Sequence, residues 1–253
     1  MSRAARLTLF GISAAGLGVV LVYGFAGLPD FGHYHGVYGN VVNRIAVGER
    51  HATDLVTTLN FDIRAFDTLG EEFILFASIL GVVLILRHVR DEREDPSQEE
   101  AEEHSFGGAS EALRALALGL IPGLIALGIY VVVHGHLTPG GGFQGGIVAA
   151  TGPFVVFLAG RYLRMKVVAP HALVEISDAL GAAGYALIGL GGLIFAGVFL
   201  ENFLPLGATG QLLSAGQIPL ASVAVGIEVA GALLVGWTEF LDQAFLIKGK
   251  ARS

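Results

Sequence analysis

The chain has 253 residues, of which 53% are hydrophobic and only 15% are charged, and its mean hydropathy is +0.68. Soluble domains usually carry about 25% charged residues, so this composition excludes an ordinary soluble domain and indicates an integral membrane protein. The chain has no cysteine, which excludes disulfides and cysteine-ligated iron–sulfur or zinc centres. Any redox centre must therefore lie on a partner chain, and the net charge of −7 gives no indication of a nucleic-acid partner.

Six hydrophobic segments have about the length that a helix needs to cross a bilayer core of about 30 Å. They cover residues 7–28, 69–87, 113–133, 145–160, 174–200 and 218–241. The predicted fold is an all-α polytopic membrane protein with about six transmembrane helices in a lipid bilayer. The first segment resembles a signal anchor, but we expect it to be retained as the first helix, because no small-residue cleavage site follows it.

The distribution of lysine and arginine predicts the orientation of these helices, because cytoplasmic loops carry an excess of both residues. With the N-terminus inside, twelve of the fifteen basic residues lie on the cytoplasmic side. Only Arg44, Arg50 and Arg64 lie outside. We therefore expect both termini to be cytoplasmic.

An acidic stretch with a proline, residues 91–108, separates the second segment from the third and lacks the apolar residues that could bury a face. It predicts a division of the chain into three parts. Residues 1–90 form a two-helix membrane segment with an external amphipathic loop, residues 91–110 form an acidic linker, and residues 111–253 form a four-helix membrane domain.

The external loop contains a pattern of apolar and polar residues at helical spacing. The apolar positions are Leu55, Leu59, Ile63 and Phe66, and another face carries Asp54, Thr58 and Asp62. This pattern predicts a short amphipathic helix that leads into the second crossing.

Three charged residues share one face if this helix continues through Gly70, because Arg64, Asp67 and Glu71 stand at positions i, i+3 and i+7. One interpretation is an ion-pair ladder at the outer mouth of the membrane, to which Asp62 adds a further carboxylate. The alternative is a solvated charged surface with no part in transport, since surface ion pairs are common and weak.

The sequence HGHLTPGGGFQGG, residues 134–146, interrupts the apolar chain between the third and fourth segments. Irregular backbone at membrane depth is tolerated only inside protein or beside water. In one interpretation His134 and His136 line a hydrated passage and titrate near neutral pH. In the other, the glycines form a tight external hairpin and both rings lie among the lipid headgroups. A metal site is not predicted, because no further ligands accompany the two histidines.

Ionisable residues inside the predicted crossings are expensive to bury and mark a pathway or a contact with a partner. Glu228 lies near the middle of the last crossing, which contains no basic residue that could pair with it. It is a candidate proton acceptor, or alternatively a carboxyl hydrogen-bonded to a neighbouring helix. Glu175 and Asp178 lie near the start of the fifth crossing, where stabilisation of the helix dipole is an alternative to transport.

The glycine motif resembles the signature Gly-His-Asn-x-Pro-Gly-Gly-Gly-Phe-x-Gly-Gly in the B subunits of Mrp-type multisubunit sodium/proton antiporters. Leu137 stands where that family often has asparagine. The resemblance extends over about residues 111–245. The positions in register are Gly135, His136, Pro139, Gly140, Gly141, Gly142, Phe143, Gly145 and Gly146.

The sequence FDIRAFDTLGEE, residues 61–72, is similar to a motif at the C-terminal end of the large A subunits of the same antiporters. In membrane-bound hydrogenases the corresponding piece is a separate two-crossing subunit. Ile63 and Ala65 depart from the motif. The resemblance implies that the chain is a fusion of this two-crossing piece with a piece of the B type.

The two resemblances together imply a non-catalytic subunit that helps to form a cation or proton path and assembles with other membrane subunits in a prokaryotic inner membrane. They imply sodium and protons as transported ions and no cofactor. The alternatives are the antiporter-like module of an energy-converting redox complex and a purely structural scaffold. An enzyme is not predicted, because no serine or cysteine nucleophile accompanies the histidine motif. The candidate path residues are Asp62, Arg64, Asp67, Glu71, His136, Glu175, Asp178 and Glu228.

Overall fold

The computed structural model describes residues 3–28, 36–91, 110–159, 165 and 169–252. Within these ranges the chain forms helices and no strand, which confirms the predicted all-α fold. The helices are α1 (Arg3–Ala26), α2 (Val37–Gly48), α3 (Leu55–Thr58), a π-helical turn (Leu59–Ile63), α4 (Ala65–Asp91), α5 (Glu111–Val133), α6 (Gly142–Leu158), α7 (His171–Ala196) and α8 (Ile218–Arg252).

Five of these helices are long and apolar enough to cross a membrane, namely α1, α4, α5, α7 and α8, and α6 is a shorter apolar helix of 17 residues. They correspond to the six predicted segments, and the chain is a multi-pass membrane protein. Helix α7 ends at Ala196, four residues before the predicted end at residue 200. The reason is Gly197, whose left-handed φ of 83° ends the helix.

The chain divides into two compact units, Met1–Val41 and Val42–Ser253. The first unit contains α1 and the first turn of α2, and the second contains the remaining helices. All contacts considered below lie within the second unit. The division predicted at the acidic linker stays a prediction, because residues 92–109 lie outside the described ranges.

Helix α8 is the central helix of the second unit. About 61% of its membrane-spanning part is buried inside the chain, against 28% for α7 and 11% for both α4 and α5. Helices α4, α6 and α7 pack directly against α8, and α5 packs mainly against α6. The outer faces of α4, α5 and α7 carry many exposed leucine and isoleucine side chains, as expected for helices in contact with lipid or with partner subunits.

Glycine allows α7 and α8 to pack closely in antiparallel orientation. Gly181 of α7 lies directly against Glu228 of α8, and Gly231 of α8 lies against the backbone of Asp178. A Cβ atom at Gly231 would stand 2.6 Å from the Asp178 nitrogen, closer than side-chain atoms can approach. The two glycines therefore bring two buried acidic residues into one layer of the helix packing.

Irregular segments connect the helices at one end of the second unit, which we call the loop side. Helices α5 and α7 end there, and α4, α6 and α8 begin there. The backbone N–H groups of Thr53 and Asp54 donate hydrogen bonds to the carbonyl of His136 at 3.0 and 3.2 Å. The His51 ring lies 2.6 Å from the carbonyl oxygen of Gly207, so three segments that are distant in sequence are joined at this side.

The predicted amphipathic helix before the second crossing is broken in the structure. Helix α3 ends at Thr58, the π-helical turn follows, and Arg64 leaves the helical conformation with φ −123° and ψ 32° before α4 begins. The Thr68 hydroxyl donates to the carbonyl of Asn60 at 2.7 Å. This side-chain bond satisfies a backbone group that the break removes from regular helical pairing.

Candidate ion path

The glycine motif forms the turn between α5 and α6 and the first five residues of α6. Gly141 has a φ of +130°, a backbone angle that residues other than glycine rarely adopt. A Cβ atom at Gly142 would collide with the carbonyl oxygen of Ser222 on α8, and one at Gly145 would stand 2.6 Å from the carbonyl oxygen of Gly128 on α5. The motif therefore allows α6 to pack between α5 and α8 with the backbones in direct contact.

A polar cavity of about 240 Å³ lies where this turn meets the break before α4. It has room for several water molecules, each of which takes about 30 Å³. The cavity combines broken backbone, hydroxyl and amide groups, and two carboxylates. Its walls are formed by Thr57, Asn60, Phe61, Thr68, Glu71, Glu72, Gly140, Gly141, Phe143, Gln144 and Val225.

Two buried polar atoms of the cavity wall have no hydrogen-bond partner among the described residues, the Thr57 hydroxyl and the Glu72 Oε2 atom. The Thr57 side chain is 2% exposed and that of Glu72 is 3% exposed. An unpaired polar group at such burial costs about 1–3 kcal/mol. Both atoms are therefore suited to bind water or a cation that occupies the cavity.

Glu72 of the cavity wall belongs to a group of three neighbouring carboxyl groups. Glu228 of α8 is fully buried and neighbours Glu72 of α4, and Asp178 of α7 interacts electrostatically with both. The carboxyl groups of Glu228 and Glu72 lie within hydrogen-bonding reach of each other, and one oxygen of Asp178 has no hydrogen-bond partner within the described ranges. We call Glu72, Asp178 and Glu228 the carboxyl cluster. Three negative charges at this depth would repel strongly, so the cluster must hold protons or a cation.

Tyr185 of α7 closes the carboxyl cluster toward the loop side. Its hydroxyl donates to the carbonyl of Ala65 at 3.0 Å, and its ring packs against Phe61 with centroids 6.1 Å apart. The tyrosine thereby joins α7 to the first residue of α4.

The predicted ion-pair ladder is only partly present as a set of contacts. Arg64 pairs with Asp67, and both side chains are more than half exposed. Within the described residues Arg64 makes no ion pair with Glu71, which instead lines the cavity. Asp62 is bound by Arg50, with Nε and Oδ2 2.6 Å apart, and its side chain is only 4% exposed.

The two histidines of the glycine motif have different environments. The ring of His134 stacks on Tyr130 at 4.2 Å and is partly exposed. His136 is fully buried, and its Nε2 atom lies 3.4 Å from the carbonyl oxygen of Gln211. Burial lowers the pKa of His136 below its ordinary value of 6.5, which favours the neutral ring. Neither histidine lines the polar cavity.

Glu175 lies apart from Asp178, with which the sequence associates it. Its Oε2 atom is 3.3 Å from Nδ1 of His171, and Nε2 of the same ring is 2.9 Å from Oε1 of Glu239 on α8. Asp178 belongs to the carboxyl cluster, about one helical turn further along α7 than Glu175. The pair predicted at the start of this crossing therefore divides between two sites.

Several of these residues are not among the candidates that the sequence indicates. Glu72 is the principal one, and its signal is its helical face: positions 68, 72, 75, 79 and 83 of α4 share one side, and the four apart from Glu72 are a threonine and three aliphatic residues. An acidic residue on such a face is more informative than the exposed Glu71 beside it. The partnership of Arg50 with Asp62 and of His171 with Glu239 has no sequence signal, because each joins separate elements.

Comparison with known proteins identifies several that this chain resembles. The family model described as "Domain related to MnhB subunit of Na+/H+ antiporter" matches residues 112–235. An uncharacterized protein of Methanocaldococcus jannaschii is 29% identical over 206 residues, which are 76% of this chain and 78% of that protein. A probable A/B-type component of a K(+)/H(+) antiporter of Rhizobium meliloti is 28% identical over 198 residues, 70% of this chain and only 19% of that protein.

Two solved structures share the fold over 94% of this chain. One is a chain of the membrane-bound sulfane sulfur reductase, an archaeal respiratory membrane complex, with a TM-score of 0.73, 30% identity and 98% of that chain covered. The other belongs to the Mrp complex from Dietzia sp. DQ12-45-1b, with a TM-score of 0.70, 25% identity and 26% of that chain covered. Residues 112–235 are therefore a domain related to the MnhB subunit of Na+/H+ antiporters, and nearly the whole chain shares its fold with chains of two multisubunit membrane complexes.

Proposed function

We propose that this chain is a non-catalytic membrane subunit of an Mrp-type cation/proton antiporter complex in a prokaryotic inner membrane, and that it forms part of the ion path. The observation that carries the proposal is the polar cavity, which opens between the glycine turn and the helix break and ends at Glu72. Its partners are the other membrane subunits of the complex and the lipid bilayer. The loop side faces outward, and both termini lie in the cytoplasm.

The chemistry of the cavity supports a path for a small hydrated cation or for protons. Its wall presents carbonyl, amide, hydroxyl and carboxylate oxygens, the ligands that hard cations such as sodium prefer. Beyond the wall, Glu228 and Asp178 can accept protons that Glu72 releases when a cation enters. Sodium and protons are the proposed transported ions, and no cofactor takes part. In this scheme Asp62, Arg64 and Asp67 shape the outer mouth and Glu71 attracts the cation.

A second function is favoured by one observation, the match to the membrane-bound sulfane sulfur reductase complex, of whose chain 98% is covered. In this alternative the chain belongs to the ion-translocating module of an energy-converting redox complex, with every metal centre on other chains. Purifying the assembly under mild conditions and identifying its chains separates the two alternatives. A metal-containing reductase chain in the purified assembly favours the redox complex, and antiporter chains alone favour the antiporter.

Glutamine substitution in the carboxyl cluster tests the ion path. Glu228→Gln and Glu72→Gln preserve shape and one hydrogen-bonding oxygen but remove proton exchange. In vesicles that contain the complete assembly, we expect cation-driven proton flux to fall about tenfold or more, or its pH dependence to move, over about pH 6 to 9. Glu111→Gln serves as the control, because that side chain is 83% exposed at the start of α5.

The opposite outcome identifies a structural scaffold. If both cluster variants assemble and transport as the unchanged complex does, the carboxyl cluster is a packing contact and the proposed ion path is wrong. If both fail to assemble while Glu111→Gln assembles, the cluster serves to join the helices, and the scaffold is the better account.

A further inference from the structure

A second group of titratable side chains lies at the end of α7 and α8 that is remote from the loop side. His171 stands between two carboxylates, Glu175 on its own helix and Glu239 on α8, at 3.3 and 2.9 Å. A neutral imidazole has one N–H, whereas the protonated ring donates from both nitrogens. The geometry, with an acceptor at each ring nitrogen, therefore favours a ring that has taken up a proton.

Burial changes steeply across this group. The Glu175 and His171 side chains are 38% and 32% exposed, whereas that of Glu239 is only 1% exposed. The imidazole thus connects a carboxylate that contacts water with a carboxylate buried between helices. Asp242, one turn beyond Glu239 on the same face, is also buried.

The buried carboxylate lies on the same face of α8 as the carboxyl cluster. Glu228, Ala232, Val235, Glu239 and Asp242 follow one another at intervals of three or four residues, and all five are buried. Glu239 is eleven residues beyond Glu228, which corresponds to about 16 Å along the helix axis. The carboxyl cluster and the group at Glu239 therefore follow one another along one face of α8, and we call them the two stations.

An apolar layer separates these stations. It is formed by Val83 of α4, Val174 of α7, Val235 of α8 and Ala169, packed together as one buried cluster. These four side chains offer no group that could bind water or an ion, so the layer excludes both and interrupts a hydrated path. Among the described residues, the polar cavity meets the carboxyl cluster at Glu72, on the loop side of this layer.

We propose that His171 and Glu239 form a proton-exchange site on the opposite side of the membrane from the polar cavity, separated from the carboxyl cluster by the apolar layer, which acts as its seal. This inference rests on the proposed ion path. Glu175 draws a proton from water to the imidazole, and Nε2–H of the imidazolium transfers it to Oε1 of Glu239. The transfer leaves a neutral ring and a neutral carboxyl, and brief wetting of the apolar layer completes the passage.

The groups that face His171 define how its protonation responds to pH. Among the described residues, Glu175 on α7 and Glu239 on α8 contact the ring, and both carboxylates stabilise its protonated form. The described side chains of α4 near this end, Ile79 and Val83, are apolar. The side chains of residues 87–91 lie outside the described part of the chain.

Substitutions of His171 distinguish proton exchange from a merely structural ion pair. His171→Lys keeps a positive charge beside Glu239 but does not exchange protons near neutral pH, and His171→Gln keeps size without charge. In vesicles that contain the complete assembly, we expect both to lower cation-driven proton flux about tenfold and to flatten its dependence between about pH 6 and 8. His134→Gln, at a partly exposed histidine, is the matched control and should leave the pH profile unchanged.

Two results would overturn the inference. One is normal flux with a normal pH profile in His171→Lys, because a fixed positive charge can replace a structural ion pair but cannot exchange protons. The other is an unchanged pH profile in His171→Gln. If instead Glu72→Gln and Glu228→Gln leave flux unchanged, the proposed ion path fails, so the two failures are distinguishable.

A variant of the apolar layer keeps the test open if substitutions of His171 prevent assembly. Val235→Asn introduces a water-binding amide between the two stations, and we expect a passive proton leak at least about tenfold above that of the unchanged complex. Ala221→Asn places the same amide on α8 at a buried position on the loop side of the carboxyl cluster and should not add a leak. Equal leaks, or no leak in Val235→Asn vesicles with normal assembly, would contradict the seal.

Discussion

The two ends of the unit Val42–Ser253 differ in the polar groups that they bury. At the loop side the backbone is broken twice, by the π-helical turn before α4 and by the glycine turn before α6, and a polar cavity forms between the breaks. At the other end α7 and α8 are continuous, and valines pack between the carboxyl cluster and His171.

This contrast explains why glycines concentrate at the start of α6, on the loop side. A broken helix leaves carbonyl and N–H groups that need water or protein partners at membrane depth, and close helix packing supplies the protein that covers them. Gly142 and Gly146 of α6 lie against backbone atoms of α8. At the other end the described backbone of α7 and α8 is paired within the helices, so the polar groups described there are side chains.

The largest effect should come from adding a side chain at Gly142, where α6 contacts α8. Gly142→Ala places a Cβ atom against the Ser222 carbonyl and the Val225 side chain, so α6 and α8 must separate. Overpacking of this kind costs about 1–3 kcal/mol or more, and we expect strong loss of assembled complex. Gly119→Ala is the control, because a Cβ atom there meets nothing within 4 Å. Equal yields of the two variants would show that the loop side does not depend on this contact.

A smaller loss is expected from the ion pair that fastens the broken helix. Arg50→Ala leaves the Asp62 carboxylate buried without its partner. Because the arginine itself is 30% exposed, water relieves part of the cost, and we expect about 1–3 kcal/mol lower stability. Thermal unfolding of the purified complex measures the change. The double variant Arg50→Gln with Asp62→Asn should recover part of it, and no recovery would argue against the pairing.

The buried histidine of the loop side should make stability depend on pH. Because the pKa of His136 is lowered on folding, the unfolded chain binds more protons than the folded chain just below pH 6.5. The contribution of the neutral ring to stability is therefore complete above pH 6.5 and decreases as the pH falls, by at most about 1.4 kcal/mol per pH unit. The melting temperature of the purified complex between about pH 5 and 8 measures this dependence. His136→Asn should reduce its slope, and an identical slope would assign the dependence to other groups.

The smallest effect should come from the exposed pair of Arg64 and Asp67. Both side chains are more than half exposed, and such pairs contribute about 0.2–1 kcal/mol. We expect Arg64→Ala to change the melting temperature little. In a double-mutant cycle with Asp67→Ala, a coupling free energy well above 1 kcal/mol would contradict this and restore the ladder as a structural device.

Features that depend on one segment of the chain could be predicted from the sequence. The six apolar segments, the glycine turn and the buried position of Glu228 each follow from composition or spacing within a single element. The break before α4 could not, because the residues of the π-helical turn also fit the period of an α-helix. Its register is fixed by the bond from Thr68 to Asn60 and by the packing of Phe61 against Tyr185.

The candidate site was predictable only in part for the same reason. Glu228 is an exceptional residue in its own crossing, but Glu72 and Asp178 acquire their importance from standing beside it. The contact of Gly181 with Glu228 brings α7 and α8 together, and no local pattern encodes that pairing. The sequence thus indicated Asp178 and Glu228 but not Glu72, and the grouping of the three acids is a property of helix packing.

The continuity of α8 has a mechanical consequence. Glu228 and Glu239 are carried by one unbroken helix, so the helix acts as a stiff lever with an arm of about 16 Å between the two carboxylates. A tilt of about 5° would displace one carboxylate by about 1.4 Å relative to the other, enough to make or break a hydrogen bond. Because no break in α8 separates the two carboxylates, a tilt of the helix at the level of Glu228 would also move Glu239.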